Sequence, residues 1–239
     1  MAVISDRARV AYFIVPKAAC TSIKSLFAEL DGGVPAPRRG LGDRLLGRPA
    51  PKPPSIHQVP GYVTTAFADV APVPDGFARI TVVRDPLARL HSAWSNKTGV
   101  SVFADRGEID ALSSAGVPLD PSFGAFVEHF ERYRAFSRPA MVHTRPLAWH
   151  LGPDLGIYDA VFRLEALGAF EAYLSDRVGT PVTVPRENRS PTPERPLGFE
   201  ARHADLARAI LAPDYALLGG LYDFDASLNR FLEKHAATA

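Results

Sequence analysis

The 239-residue sequence is poor in the residues on which several common kinds of site depend. It contains one cysteine, Cys20, which excludes an intrachain disulfide and indicates a reducing compartment. No group of cysteines and histidines has the spacing of a zinc site. Basic and acidic residues nearly balance, with a formal net charge of +1, so no overall field attracts nucleic acid or an anionic membrane. Any anion-binding site must therefore be local.

The sequence also lacks a long apolar run. Near the N-terminus, the apolar run of residues 10–15 ends at Pro16, which makes it too short for a signal peptide or a membrane span. The hydrophobic content of 46% is enough for one sizeable core. We therefore expect a soluble cytoplasmic protein with no membrane span and no nucleic-acid partner, folded as one domain over residues 1–239.

Glycine is absent from the first 31 residues, and the most informative segment lies there. An apolar, β-branched and aromatic run ends at Pro16, Lys17 follows, and helical apolar spacing begins after Thr21 and Ser22. This order predicts a buried strand, a tight turn and the start of a helix. Because a helix N-terminus presents unpaired N–H groups and a partial positive charge, the segment predicts a phosphate or sulfate site. Lys17 and the two hydroxyl groups would complete it.

The order of residues in this turn excludes two well-known phosphate loops. The ATP and GTP loop needs a glycine-rich turn that ends in Gly-Lys-Ser/Thr, whereas Lys17 opens this turn. A cysteine-phosphatase loop would need an arginine six residues after Cys20, and Leu26 stands there.

A second candidate anion site follows the strand predicted over residues 78–83. Arg84 lies at the carboxyl end of that strand, the edge at which open α/β sheets bind ligands. Asp85 and the proline after it predict the N-cap and first residue of a helix over 86–97. Ser92 lies on this helix, so that Arg84 and Ser92 could bind one phosphate together. The segment alone slightly favours a structural pair of Arg84 with Asp85.

The rest of the chain alternates strands with helices. Further strands are predicted over residues 158–163 and 181–184. Further helices are predicted over about 123–134, 165–178, 199–211 and 225–235, and residues 98–121 are predicted to be irregular. Such alternation predicts the α/β class, with three layers in which a central parallel sheet is flanked by helices.

Residues 31–60 interrupt this alternation with seven prolines, five glycines and five basic residues. The composition favours a flexible surface insertion. The alternative is a mobile basic lid over an anionic substrate.

The two candidate anion segments together resemble the donor motifs of the sulfotransferase family that includes the Golgi carbohydrate sulfotransferases and their soluble bacterial relatives. Residues 16–22, with lysine first and Cys-Thr-Ser after it, resemble the 5′-phosphosulfate loop of that family. Residues 82–97 resemble its 3′-phosphate motif, although Trp94 stands where the family more often has tyrosine. Residues 187–190 resemble an Asn-x-Ser loop near the donor. The resemblance implies a P-loop-like fold.

The resemblance also implies a reaction. The sulfuryl group of 3′-phosphoadenosine 5′-phosphosulfate (PAPS) would pass by in-line displacement to a hydroxyl or amine of a carbohydrate or small metabolite. Adenosine 3′,5′-bisphosphate (PAP) would be the product, and no metal would be required. The implied donor-binding residues are Lys17, Ala18, Ala19, Cys20, Thr21, Ser22, Arg84, Ser92, Asn188, Arg189 and Ser190.

Three residues are candidates for the chemical step. Lys17 would neutralise the charge that grows on the leaving phosphate. An acceptor hydroxyl also needs a base, and two histidines are open for this role. His57 lies between the two donor motifs, where related heparan-type enzymes place a catalytic histidine, and His143 lies in a family-like His-x-x-Pro element.

Two other functions remain as alternatives to a sulfotransferase. An atypical P-loop kinase would need Mg²⁺ and ATP, although the Gly-Lys-Ser/Thr ending is missing. A catalytically inactive nucleotide-binding module is the other alternative, and the intact Lys17, Arg84 and Ser92 argue against it.

Overall fold

The fold is built on a four-stranded sheet in a computed structural model that describes residues 2–33, 55–70, 72–99, 102–103, 106–185 and 195–236. The strands, in their order across the sheet, are β1 (Val3–Ser5), β2 (Val10–Phe13), β3 (Ala78–Val83) and β4 (Ala160–Arg163). The last three are parallel, and β1 pairs antiparallel with β2. The predicted α/β class is confirmed, with an added antiparallel edge strand.

Ten α-helices lie in the described parts of the chain. They are α1 (Cys20–Leu30), α2 (Pro86–Lys97), α3 (Arg106–Ser114), α4 (Phe123–Glu128), α5 (Phe130–Phe136), α6 (Arg138–His143), α7 (Leu147–Leu151), α8 (Leu167–Val178), α9 (Ala201–Leu217) and α10 (Phe224–Ala236). No helix among the described residues has both the length and the apolar character that crossing a membrane needs.

Both faces of the sheet are covered, because successive strand residues point to opposite faces. On one face Tyr12 packs with Phe27 of α1 and Phe170 of α8. On the other face Phe13 belongs to a cluster that includes Leu147 of α7. This arrangement confirms the three predicted layers and explains why β2 is apolar at every position.

Helix α2 follows β3 with the cap that the sequence predicts. The Asp85 carboxylate accepts a hydrogen bond from the Ala88 backbone N–H at 3.0 Å, and Pro86 is the first helical residue. On its apolar side, Leu87, Leu90 and Trp94 belong to a core that includes side chains of α4, α5, α9 and α10. This packing buries the apolar side of α2, so that only the opposite side can face a ligand.

The strand predicted over 181–184 is wrong. The backbone N–H groups of Val182 and Val184 donate to Ser175 Oγ at 2.9 Å and to Glu171 Oε1 at 2.8 Å. Both acceptors are side chains of α8, and they replace the carbonyl partners that a neighbouring strand would supply. The segment is therefore bound to a helix instead of to β4.

Two further differences concern the helical region. The helix predicted over 123–134 is split at His129 into α4 and α5, with the buried apolar side continuing across the break. The interval 98–121, predicted to be irregular, contains α3, whose Leu112 is fully buried. Of the insertion at 31–60, residues 34–54 lie outside the described residues.

One buried ion pair links α2 to the C-terminal helices. Arg89 is 2% exposed and donates from Nη1 to Asp214 Oδ2 at 3.1 Å. Its other terminal nitrogen donates to the Arg145 carbonyl oxygen at 2.6 Å, and Asp214 Oδ1 accepts from the Leu147 backbone N–H at 2.7 Å. Arg89 therefore has a structural role.

We expect Arg89→Met to lower the free energy of unfolding by about 3–5 kcal/mol, because it leaves the Asp214 carboxylate buried without its partner. Urea denaturation measures the change. The matched control is Arg208→Met, which removes a pair with Asp225 that lies at the surface and should shift the urea midpoint little. Equal shifts for the two variants would contradict the structural role of Arg89.

Candidate functional site

A cleft of about 530 Å³ opens beside the residues that follow β2 and β3. It is lined by Lys17, Ala19, Cys20, Thr21, Ser22, His57, Arg84, Ser92, Asn96, Lys97, His143 and Leu164. Among the described residues that line it, three are lysine or arginine and none is aspartate or glutamate. A cleft with this composition favours an anionic ligand.

The turn between β2 and α1 contains two residues in the left-handed backbone conformation. The φ angle is 69° at Lys17 and 54° at Ala19. Residues other than glycine occupy this region at a cost, of the order of 1–2 kcal/mol each. Between them Ala18 is fully buried, and its N–H donates to the Val15 carbonyl at 3.3 Å. The backbone thus reverses sharply and turns Lys17 and the start of α1 toward the cleft.

The first turn of α1 has no side-chain cap. Ala19 occupies the N-cap position and has no side-chain oxygen to offer. Cys20, Thr21 and Ser22 begin the helix and line the cleft. The N–H groups of a first helical turn lack carbonyl partners within the helix and carry a partial positive charge. An anion in the cleft can accept these hydrogen bonds.

The Lys17 ammonium has no hydrogen-bond or ion-pair partner among the described residues. Burial, together with the positive charges of Lys97 and Arg84, lowers its pKa from the usual 10.5 to about 8. A bound anion would have the opposite effect, because a nearby negative charge favours the ammonium form.

Arg84 joins the two predicted anion segments. Its Nη1 donates to the Lys17 carbonyl oxygen at 3.1 Å. The alternative pairing with Asp85 is not found, since within the described ranges Asp85 forms its ion pair with Arg230, at 3.8 Å. Ser92, on α2, lines the same cleft as Arg84. The structure thus places the side chains of both segments around one space.

His57 lies between the turn and the interior of α1. Its Nε2 is 3.0 Å from Thr21 Oγ1, and its Nδ1 is 3.1 Å from Lys24 Nζ. Lys24 is fully buried and also donates to Thr64 Oγ1 at 3.3 Å. Although His57 as a whole residue is exposed, both ring nitrogens have partners. Partial burial of the ring and the charges of Lys24 and Lys97 lower the pKa of His57.

His143 reaches the cleft from the end of α6. Its Nδ1 is 2.8 Å from the Pro139 carbonyl oxygen, one turn earlier in the helix. Burial lowers the pKa of His143 to about 4, with smaller contributions from the charges of Lys97 and Lys17. The ring is therefore neutral at physiological pH.

Glu165 holds the edge of the sheet near the cleft. One carboxylate oxygen accepts from the Asp85 backbone N–H at 3.3 Å, and the other accepts from the Tyr222 hydroxyl at 2.5 Å. These bonds tie the segment after β4 to the end of β3. Glu165 therefore has a structural role.

Most of the predicted site residues meet in the cleft. Ala18 is the exception in the first turn, because it is buried beneath the turn and does not line the cleft. Asn188, Arg189 and Ser190 lie outside the described residues. The functional roles predicted for all of these residues remain predictions.

Four residues at the site were not predicted. Asn96 follows Ser92 by one helical turn, so helical spacing could have identified it. Lys97 and Leu164 also line the cleft, and the residues around them in the sequence do not predict this. Lys24 lies among the buried residues of α1, and a charged residue among the apolar positions of a helix is the signal that could have identified it. No cluster of three or more potential metal ligands is found in the described part of the chain.

The model of the sulfotransferase family matches residues 1–224 of the chain, and the match includes both segments that line the cleft. No curated protein and no solved structure matches the chain.

We expect Lys17 to become reactive toward acetic anhydride as the pH rises through about 8, because only the neutral amine is nucleophilic. Mass spectrometry of the labelled peptides measures this, with the exposed Lys234 as the reference for the reagent. Added inorganic phosphate should move the Lys17 profile to higher pH, since an anion stabilises the ammonium. A Lys17 profile centred near the usual 10.5, with or without phosphate, would contradict the burial described above.

Proposed function

Because the chain belongs to the sulfotransferase family, we propose that it transfers the sulfuryl group of PAPS to a hydroxyl or amine of a carbohydrate or small metabolite. The observation that carries this proposal is a cationic cleft that no carboxylate of the described residues lines, with an uncapped helix start on one side and Arg84 on the other. A donor with two separated anionic groups fits such a cleft. Its 5′-phosphosulfate would lie at the turn before α1 and its 3′-phosphate at Arg84.

The turn before α1 would hold the 5′ end of the donor. Thr21 and Ser22 would donate from their hydroxyl groups, and the backbone N–H groups from Ala19 to Ser22 would donate to the same phosphate oxygens. Lys17 would supply the balancing positive charge. Its partly buried position strengthens that interaction, because water screens it less than at the surface.

Arg84 and Ser92 would hold the 3′-phosphate. The guanidinium group keeps one nitrogen on the Lys17 carbonyl, and its remaining N–H groups can bind phosphate oxygens. We propose that Asn188, Arg189 and Ser190 complete this end of the site.

The chemical step follows from these positions. The donor supplies a sulfuryl group on a phosphate leaving group, and the new bond to the acceptor oxygen forms as the old sulfur–oxygen bond breaks. Lys17 would neutralise the charge that grows on the leaving oxygen, together with the N–H groups at the start of α1. A histidine, His57 or His143, would take the acceptor proton. The step requires no metal, because Lys17, Arg84 and the helix N-terminus supply the positive charge.

We expect adenosine 3′,5′-bisphosphate to raise the melting temperature without magnesium. At 100 times its dissociation constant the ligand should add about 2.7 kcal/mol to the stability. ATP with magnesium should do little, and differential scanning fluorimetry compares the two. The reverse order would favour a kinase. Stabilisation by the bisphosphate with no sulfuryl transfer to any acceptor would favour an inactive nucleotide-binding module.

We expect Arg84→Ala to weaken bisphosphate binding by about 2–4 kcal/mol, since a partly buried phosphate loses its partner. Lys17→Ala should instead lower kcat more than donor affinity, because its charge is needed most as the leaving group departs. Calorimetry and steady-state kinetics separate the two effects. Arg79→Ala is the matched control, with an exposed side chain at the opposite end of β3. Unchanged binding in Arg84→Ala would remove the proposed 3′-phosphate site.

A further inference from the structure

The hydrogen bonds around the two cleft histidines have fixed directions, and these directions separate the roles of the two rings. The inference rests on the proposed function, which needs a base for the acceptor hydroxyl. A neutral imidazole has one N–H donor and one nitrogen that accepts, and the partner at either nitrogen decides which is which.

At His57 the deciding partner is Lys24. An ammonium group only donates, so His57 Nδ1 accepts from Lys24 Nζ across 3.1 Å. The ring proton then lies on Nε2, which donates to Thr21 Oγ1 across 3.0 Å. Lys24 is fully buried, and its further bond to Thr64 holds it in place. The nitrogen that a base would use is therefore protonated and bonded to Thr21.

Nε2 of His57 stays bonded to Thr21 whether or not Lys24 is charged. Burial lowers the pKa of this lysine. A neutral amine could accept from Nδ1–H, and the chain of bonds would then run the other way, with Thr21 donating to Nε2. In both directions Nε2 of His57 is bonded to Thr21 and is not available to an acceptor.

The direction set by the charged Lys24 has a consequence for Thr21. A hydroxyl oxygen that accepts from His57 keeps its own proton for another partner. Thr21 lines the cleft at the start of α1, so this proton can be donated to an anion there. The chain Lys24–His57–Thr21 thus aims a hydroxyl donor at the position proposed for the 5′-phosphate.

At His143 the deciding partner is a carbonyl group. The Pro139 carbonyl oxygen only accepts, so Nδ1 carries the ring proton and donates it across 2.8 Å. Nε2 is then left with its lone pair. It has no hydrogen-bond partner within the described ranges, and the residue lines the cleft. This is the tautomer that a general base needs.

We infer that His143 is the catalytic base and that Lys24 and His57 are positioning residues that orient the Thr21 hydroxyl toward the donor. As the acceptor oxygen bonds to sulfur, its proton passes to Nε2 of His143. The electron pair of the breaking sulfur–oxygen bond stays on the leaving phosphate, where Lys17 balances the charge.

The groups around His143 keep it neutral before the reaction. Lys17 faces it from the turn, Lys97 and Arg89 face it from α2, and His150 lies nearby in α7. Each positive charge disfavours a protonated ring. An anionic donor bound at Lys17 would reduce this effect and raise the pKa of His143 from about 4, which makes the ring a better proton acceptor when the donor is present.

The first test is direct and does not depend on activity. Long-range ¹H–¹⁵N spectra of histidine-labelled protein at pH 7.5 distinguish the two neutral tautomers. Signals are assigned from the His57→Gln and His143→Asn variants. We expect the Nε2–H form at His57 and the Nδ1–H form at His143. The opposite tautomer at either ring would overturn the role assigned to that histidine.

The second test uses substitutions that keep one function of each ring. His57→Gln keeps an N–H donor near the Nε2 position, and we expect it to recover most of the donor affinity that His57→Ala loses. His57→Ala and Lys24→Met remove the orientation of Thr21 and should raise the donor KM more than they lower kcat. His143→Asn keeps a donor for Pro139 and lacks Nε2, so kcat should fall by about 10²–10⁴.

Bisphosphate calorimetry on each variant shows whether it is folded, and His143→Asn should bind within about twofold of the unsubstituted protein. An active His143→Asn together with an inactive His57→Gln would overturn the inference while leaving the proposed function intact. An unsubstituted protein that transfers no sulfuryl group from PAPS to any acceptor would instead contradict the proposed function, and the tautomer spectra would still decide the hydrogen-bond directions.

Discussion

The hydrogen bond from Arg84 to the Lys17 carbonyl is the contact on which the site depends. It joins the ends of two neighbouring parallel strands and holds two positive groups on the same side of the sheet, although like charges repel. Neither Lys17 nor Arg84 has a carboxylate within ion-pair distance among the described residues. The charges of Lys97 and Arg84 lower the pKa of Lys17, whereas the charges of Glu165 and Asp85 favour the charged form of Arg84. An anion in the cleft would offset the repulsion at Lys17.

Polar contacts inside the protein hold together the elements around the cleft. Asp85 caps α2, Glu165 ties the segment after β4 to β3, and Arg89 pairs with Asp214 across the helical layer. These three acidic side chains thus hold the elements that carry the site and do not themselves line the cleft. This division leaves the positive groups of the cleft available to a ligand while the protein as a whole stays almost neutral.

Local signals explain what the sequence could predict. Helix α2 was predicted with its correct bounds, because Asp85 and Pro86 specify its start and the apolar spacing gives its buried side. The edge rule for parallel sheets placed Arg84 at the ligand-binding edge, and the resemblance of both segments to donor motifs implied that Lys17 lies near it. Lys24 was missed because His57, its partner, lies 33 residues away. The short edge strand β1 is defined only by its pairing with β2, and Lys17 and Ala19 reach positive φ without a glycine to mark the turn.

The contacts of the Arg89 side chain fix the relative positions of several cleft residues. Through Asp214 and the Arg145 carbonyl it fixes α2, which bears Ser92 and Lys97, relative to the chain just after His143. The spacing of these cleft groups is thus set inside the protein, independently of the loops at its surface. A change in the length of a surface loop would therefore leave the relative positions of Ser92, Lys97 and the chain after His143 unchanged.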